Sequence, residues 1–409
     1  MNTGRTHRTE ESAIGGPFIN KLVFLVSATF NQRDEKRFGI ELLQRNAFEV
    51  EVWDFTPFLR PAKFAKYLPP DPTGFQHYRI FATKSDAISA LSELTPRSLV
   101  FCMVHYGYES YAIYRTISKR KLPYCVLGYS VPAWDVPKEG STISRFKNIT
   151  LDKLLSYSFR LIPFKWLGVK PATMMLALGG TFPLAQFTVG SRTEFIRSHY
   201  FDYDVYLEQA QKRIETDKSM GVFLDNYLPF HPDALDENDP IIPPEEYYPL
   251  LRRFLDHIER NYGVRIVIAA HPRSNYEKHQ GCFGERPVIR GKTAELVMQA
   301  GFVILHSSAS IAFAVLFRKP MIFVTTDRLR QGRAGIAIGS LIDFLAATFS
   351  KKPINLNSTF EIDWATELMI DSGAYKRYIT QYIKEEGSGD TPVWQVFANH
   401  LKNGHSVGE

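Results

Sequence analysis

Apolar residues along this chain fall into short unbroken runs, separated by longer stretches with helical spacing. KLVFLVS at Lys21–Ser27 is such a run, short and rich in β-branched residues, and it predicts a strand buried on both faces. The alternating FEVEVWDF of Phe48–Phe55 predicts a second strand, and Tyr78–Ala82, Leu99–His105 and Tyr124–Gly128 predict three more. Between them Lys36–Arg45, Ser85–Leu94 and Glu109–Lys119 carry helical spacing. Strands that alternate with helices of this length predict a parallel sheet covered on both sides.

The rhythm then breaks. Residues 141–170 mix Arg145, Lys147, Lys153, Lys165 and Lys170 with Phe146, Phe159, Phe164 and Trp166. Thr173–Leu178 and Gln186–Val189 return to strand patterns around Gly179–Gly180, and Arg192–Lys218 is polar and predicted largely helical. A second series follows, with strands at Gly221–Asp225, Val264–Ala270, Phe302–Leu305 and Met321–Thr325. Its helices are predicted around Tyr247–Ile258, at Thr293–Ala300 and at Ala309–Phe317, and further helical segments run from Trp364 to His400. With 409 residues the chain exceeds what one core fills. The expected plan is a disordered lead-in over 1–18, a Rossmann-like domain over 19–205, a second over 206–390, and a C-terminal helix and tail over 391–409.

Composition narrows the class. Three cysteines, Cys102, Cys125 and Cys282, are too few and too scattered for a disulfide framework or a zinc site. The first residues lack the apolar stretch of a signal peptide, and no apolar run approaches membrane-spanning length. The expected location is the reducing cytoplasm, with peripheral membrane contact through the basic and aromatic stretch 145–170. The net charge of +6 favours anionic partners.

The candidate chemistry gathers at predicted strand ends, where open parallel sheets bind ligands. His271-Pro272-Arg273 follows one strand, and His306-Ser307-Ser308-Ala309-Ser310 follows a strand expected to neighbour it and opens a helix. Imidazole and guanidinium groups facing hydroxyls and amides suit a phosphate. Asp225 ends the first strand of the second domain and is expected to point into the interdomain cleft. With Asn226, His231 and Asp233 it forms a polar cluster, and Asp225 or Asp233 is expected to act as base or nucleophile. His105 and Glu109 are expected on the acceptor side. Asp204 reads as a helix N-cap rather than part of a metal motif, and no metal site is expected.

HPR at 271–273, GKTAEL at 291–296, HSSAS at 306–310 and FRKPMIF at 317–323 together resemble the donor half of bacterial two-domain transferases that use CMP-activated acid sugars. Those are the sialyltransferases, polysialyltransferases and Kdo transferases of capsule and lipopolysaccharide assembly; the CDP-glycerol-using teichoic acid polymerases share parts of the pattern. The resemblance implies an α/β, GT-B-like fold of two Rossmann-like domains facing a cleft, with one helix crossing back onto the first domain. It places His271, Ser307 and Ser308 on the donor phosphate and Glu295 on the ribose hydroxyls. Pro272, Arg273, Lys292, Thr293 and Ser310 complete the expected donor set. The implied reaction moves Kdo, sialic acid or a related nonulosonic acid from a CMP-sugar to a glycan or lipid-linked glycan acceptor, with no cofactor, no metal and no nucleic acid. The family's Asp/Glu-Asp/Glu-Gly motif has no copy in the first domain, so its catalytic base does not carry over. Two alternatives stay open: another nucleotide donor, such as CDP-glycerol or a UDP-sugar, and a non-catalytic nucleotide- or sugar-binding module.

Overall fold

The computed structural model describes residues 19–69, 71–136, 159, 161–180, 182–212, 214–231 and 241–403. The lead-in over 1–18, Asp233, and Arg145, Lys147 and Lys153 of the basic stretch lie outside the described residues.

The chain builds two all-parallel sheets. The first contains β1 (Lys21–Val26), β2 (Glu49–Asp54), β3 (Tyr78–Ile80), β4 (Ser98–Cys102), β5 (Tyr124–Tyr129), β6 (Met174–Leu178) and β7 (Glu194–Ser198), in the order β3-β2-β1-β4-β5-β6-β7. The second contains β8 (Asp217–Leu224), β9 (Arg265–Ala270), β10 (Val288–Arg290), β11 (Ala300–Leu305), β12 (Met321–Thr325) and β13 (Ile354–Asn355), in the order β10-β9-β8-β11-β12-β13. Each sheet grows outward from its first strand in both directions, the doubly wound Rossmann order. The α/β class and the two Rossmann-like units are therefore as the sequence pattern predicts.

The unbroken apolar runs are explained by burial on both sides. In β1, Leu22, Phe24 and Val26 join one core while Val23 and Leu25 join another. In β11, Val303 and Leu305 face one core and Phe302 and Ile304 the opposite one.

Three local expectations are corrected. Gln186–Val189 is not a strand, because a 3-10 turn occupies Leu184–Gln186. Part of the stretch expected to be helical, Glu194–Ser198, is instead the edge strand β7, paired with β6. Its helix begins only at Phe201 and ends at Ala210. The helix expected over Lys36–Arg45 is two helices, Gln32–Arg37 and Ile40–Arg45, divided at Gly39. Gly39 has φ +58°, and the Trp394 ring occupies the space a Cβ would need there. Trp394 belongs to the last helix, Val393–Lys402, which crosses back onto the first unit. Its indole nitrogen donates to Arg37 O at 2.7 Å, and its ring packs among Phe24, Phe101 and Phe201.

Candidate functional site

In the second sheet the connections leave β8 to one side and β11 to the other, so a crevice opens between the loops that follow them. Leu224 is in register with Ala269 on β9 and with Leu305 on β11. Asp225, His271 and His306 therefore stand in a row along one edge. The sequence pattern placed His271 and Ser307 on neighbouring strands. Instead β8 lies between them, and two strand spacings separate them by about 10 Å.

Asp225 is the hub of that row, and it does not point into open space. It is 3% exposed. Its Oδ1 accepts from Tyr227 N at 2.8 Å, while Oδ2 accepts from His271 N at 3.2 Å and Tyr276 Oη at 2.9 Å. Burial pushes its pKa up to about 6, against the pull of those three donors. The carboxylate thus ties the loop after β8 to the loop after β9. Tyr227 supports the same tie: it takes the left-handed conformation at φ +55°, its hydroxyl accepts from Asn275 N at 3.3 Å, and its ring lies parallel to His271 at 6.5 Å.

His271 Nδ1 accepts from Arg273 N at 3.2 Å, so in the neutral ring the proton resides on Nε2. His231 meets that ring edge-on at 4.9 Å. Pro272 lies within the turn closed by Ser274 N donating to His271 O. On the other flank, His306 is a core residue. Nδ1 donates to Val324 O at 2.7 Å, and Nε2 accepts from Tyr247 Oη at 2.9 Å. Burial lowers its pKa to about 4, so it is neutral at pH 7. Ser307 is half-buried at the crevice, and Ser308 Oγ accepts from Ser310 N at 3.3 Å. Glu295 lies in the first turn of the helix Thr293–Gln299, after Lys292; that helix follows β10 in sequence and packs over β8, β9 and β11.

Polar atoms without hydrogen-bond partners mark both sides of the space between the units. Asn226 Oδ1 and Asn275 Oδ1 belong to the second unit, and Thr29 Oγ1 and Tyr67 Oη to the first. Tyr67 is only 8% exposed, and burial raises its pKa to about 12 even though Arg273 of the second unit acts in the opposite direction. Arg273 also acts on Asp34, whose pKa burial raises. Arg290 joins the units directly, pairing with Asp71 at 3.3 Å. Sequence reasoning missed Tyr276 and Arg290, because nothing in their local pattern announces a partner some 50 to 220 positions away, and it missed Tyr67, whose burial comes from the fold. A pocket of about 310 Å³ lies beside this junction, lined by Ser274, Tyr276, His279, Phe283 and Arg290 among others.

The first sheet has the matching crevice between β1 and β4. His105 is exposed there, and surrounding protein, then Arg60, holds its imidazole below the usual pKa. With Tyr106, Tyr114 and Tyr129 it lines a cavity of about 70 Å³. Ser110 Oγ donates to His105 O at 2.7 Å and fixes the turn that carries exposed Glu109. Asp204 is not an N-cap. It accepts from Val393 N at 3.1 Å and meets His199 at 2.7 Å, tying the last helix in place. Among the described residues, no group of three or more His, Cys, Asp or Glu is placed to hold a metal ion.

No protein-family model matches the chain, and no curated protein matches it. Among solved structures it is similar to the MnaA–UDP co-structure from S. aureus, with TM-score 0.46 and 13% identity over 94% of this chain and 96% of that one. It is similar to UGT89C1 of Arabidopsis thaliana, with TM-score 0.46 and 9% identity over 94% and 98%. A third is the UDP-GlcNAc 2-epimerase of Methanocaldococcus jannaschii, with TM-score 0.39 and 10% identity over 88% and 98%. At these values the likeness assigns no residue a role.

Proposed function

We propose that this chain is a glycosyltransferase that binds a nucleotide-linked sugar at the β8–β11 crevice and passes the sugar to an acceptor held by the first unit. The observation that carries this reading is the placement of the half-buried Asn226 and Ser307 at the switch point, where the loops after β8 and β11 face one crevice. The Ser307 hydroxyl and His271 Nε2–H are donors suited to phosphate oxygens, and such donors stabilise a departing nucleotide phosphate. Lys292, Thr293 and Glu295 extend the donor site towards the β10 edge. No metal is required where donors of this kind meet the phosphate.

In this proposal Asp225 is a positioning residue, since both its oxygens are engaged. The acceptor base is then His105, neutral at pH 7 and able to take a proton. Asp233 is the remaining carboxylate of the sequence pattern, and Glu109 would orient the acceptor.

The test is release of free nucleotide from a panel of donors, with and without glycan acceptors. The motif resemblance puts CMP-linked acid sugars and CDP-glycerol on the panel, and the co-structure with UDP puts UDP-sugars there. Slow release from one nucleotide class, lost in Ser307→Ala/His271→Ala, is the expected result. Binding without turnover of any member would make the chain a binding module, and no binding at all would overturn the proposal.

A further inference from the structure

We propose that a basic and apolar face of the first unit docks on an anionic lipid bilayer. The face is centred on Trp166 and Leu161, which are 83% and 71% exposed. Surface segments ordinarily carry polar side chains, so two large exposed apolar residues five positions apart, Leu161 just before the turn 164–168 and Trp166 within it, call for an occupant. The turn is rigid. Phe164 packs inward on the core, Trp166 N donates to Pro163 O, Tyr111 Oη donates to Leu167 O at 3.0 Å, and Arg115 Nη1 donates to Gly168 O at 3.0 Å. Gly168 has φ +69°, and the Arg115 guanidinium lies where its Cβ would be, so the clamp needs glycine there.

Charge identifies the occupant. Three segments meet at this face: 111–121, 161–173 and 182–193. Lys170 N donates to Ser118 Oγ at 2.9 Å, and Ala172 N donates to Thr188 O at 2.6 Å. Together the segments contain seven Lys or Arg and no Asp or Glu, with Glu109 and Glu194 at their borders. Lys119, Arg120, Lys121, Lys165 and Lys170 are all exposed. A second copy of the chain would bring like charges together, whereas anionic headgroups neutralise them while the indole enters the interface. No described helix is long and apolar enough to cross a membrane, so the contact is peripheral.

The face is also continuous with the acceptor side. Phe159 contacts Tyr106, Tyr108 and Tyr111 at 5.6, 5.9 and 5.5 Å, and Tyr106 lines the His105 cavity. Docking would bring that cavity close to the headgroups, where a lipid-linked acceptor resides.

Flotation of the full chain with vesicles tests this without reference to activity. One vesicle set is phosphatidylcholine alone and the other contains phosphatidylglycerol. Binding is expected on the anionic set only, weakening as salt shortens the Debye length from about 10 Å at 0.1 M to about 3 Å at 1 M. Trp166→Ser/Leu161→Ser and Lys119→Glu/Lys121→Glu/Lys165→Glu are each expected to lose at least about tenfold in partitioning, with melting temperatures near wild type. All these residues are exposed, so the variants should fold. Absence of binding, equal binding to both vesicle sets, or binding unmoved by these substitutions would overturn the proposal. So would self-association that Trp166→Ser abolishes, because the face would then join two copies.

Discussion

The two crevices share one strand order but are furnished differently. After β8 and β11 the groups are buried and tied: Asp225 accepts three hydrogen bonds, and His306 is closed between Val324 and Tyr247. After β1 and β4 the crevice offers an exposed His105 and exposed Glu109 over a tyrosine-lined cavity. A preorganised edge suits the part of a substrate that never changes, and an open edge suits a partner that must enter and leave. This difference fits the proposed division, with nucleotide at the second unit and acceptor at the first.

The largest effect should come from untying the buried edge. Asp225→Ala orphans three donors and should cost roughly 3 kcal/mol or more, read as a lower urea midpoint, whereas His105→Ala should leave that midpoint unchanged. The same edge makes a pH prediction. Asp225 titrates near 6 in the fold against about 3.9 unfolded, so its contribution is present at low pH and is lost as pH rises through about 6. His306 titrates near 4 against about 6.5 unfolded, so its contribution is present above about 6.5 and is lost as pH falls towards 4. Each is worth roughly 3 kcal/mol, and they nearly cancel between pH 4 and 6. Urea midpoints of Asp225→Ala should therefore fall with acidification across that window, while the wild type's change little.

A middle-sized effect belongs to the donor groups. His271→Ala or Ser307→Ala should weaken nucleotide binding by about 1.5–3 kcal/mol in calorimetry, with the melting temperature preserved. Unchanged affinity in both would remove the distinction between the crevices. The smallest effect should come from the junction. The Arg290–Asp71 pair is partly exposed, so Arg290→Ala should cost under about 1 kcal/mol in the same urea assay.

Most strands were legible because burial on both faces writes continuous apolar runs, as in KLVFLVS and VRIVIAA. Of the edge strands, β3 was anticipated but β7, β10 and β13 were not, because they are short or polar: EFIRS keeps Phe195 exposed and reads as polar. The break at Gly39 was invisible locally, since its cause is Trp394, more than 350 residues away. At the site, His271, Ser307 and Glu295 were legible as residues at strand and helix ends. The state of Asp225 was not. A carboxylate ending a strand looks the same in sequence whether it faces solvent or three donors, and here Tyr276 supplies one of them from the next loop.

Nucleotide binding at the β8–β11 crevice is tested most directly by hydrogen exchange of the full chain with CMP, UDP and their sugar conjugates, read peptide by peptide. Protection by one of these ligands should concentrate in residues 224–231, 271–276 and 305–311, leaving the loops after β1 and β4 little changed. Protection centred on 27–37 and 103–110, with the β8–β11 crevice unaffected, would contradict it.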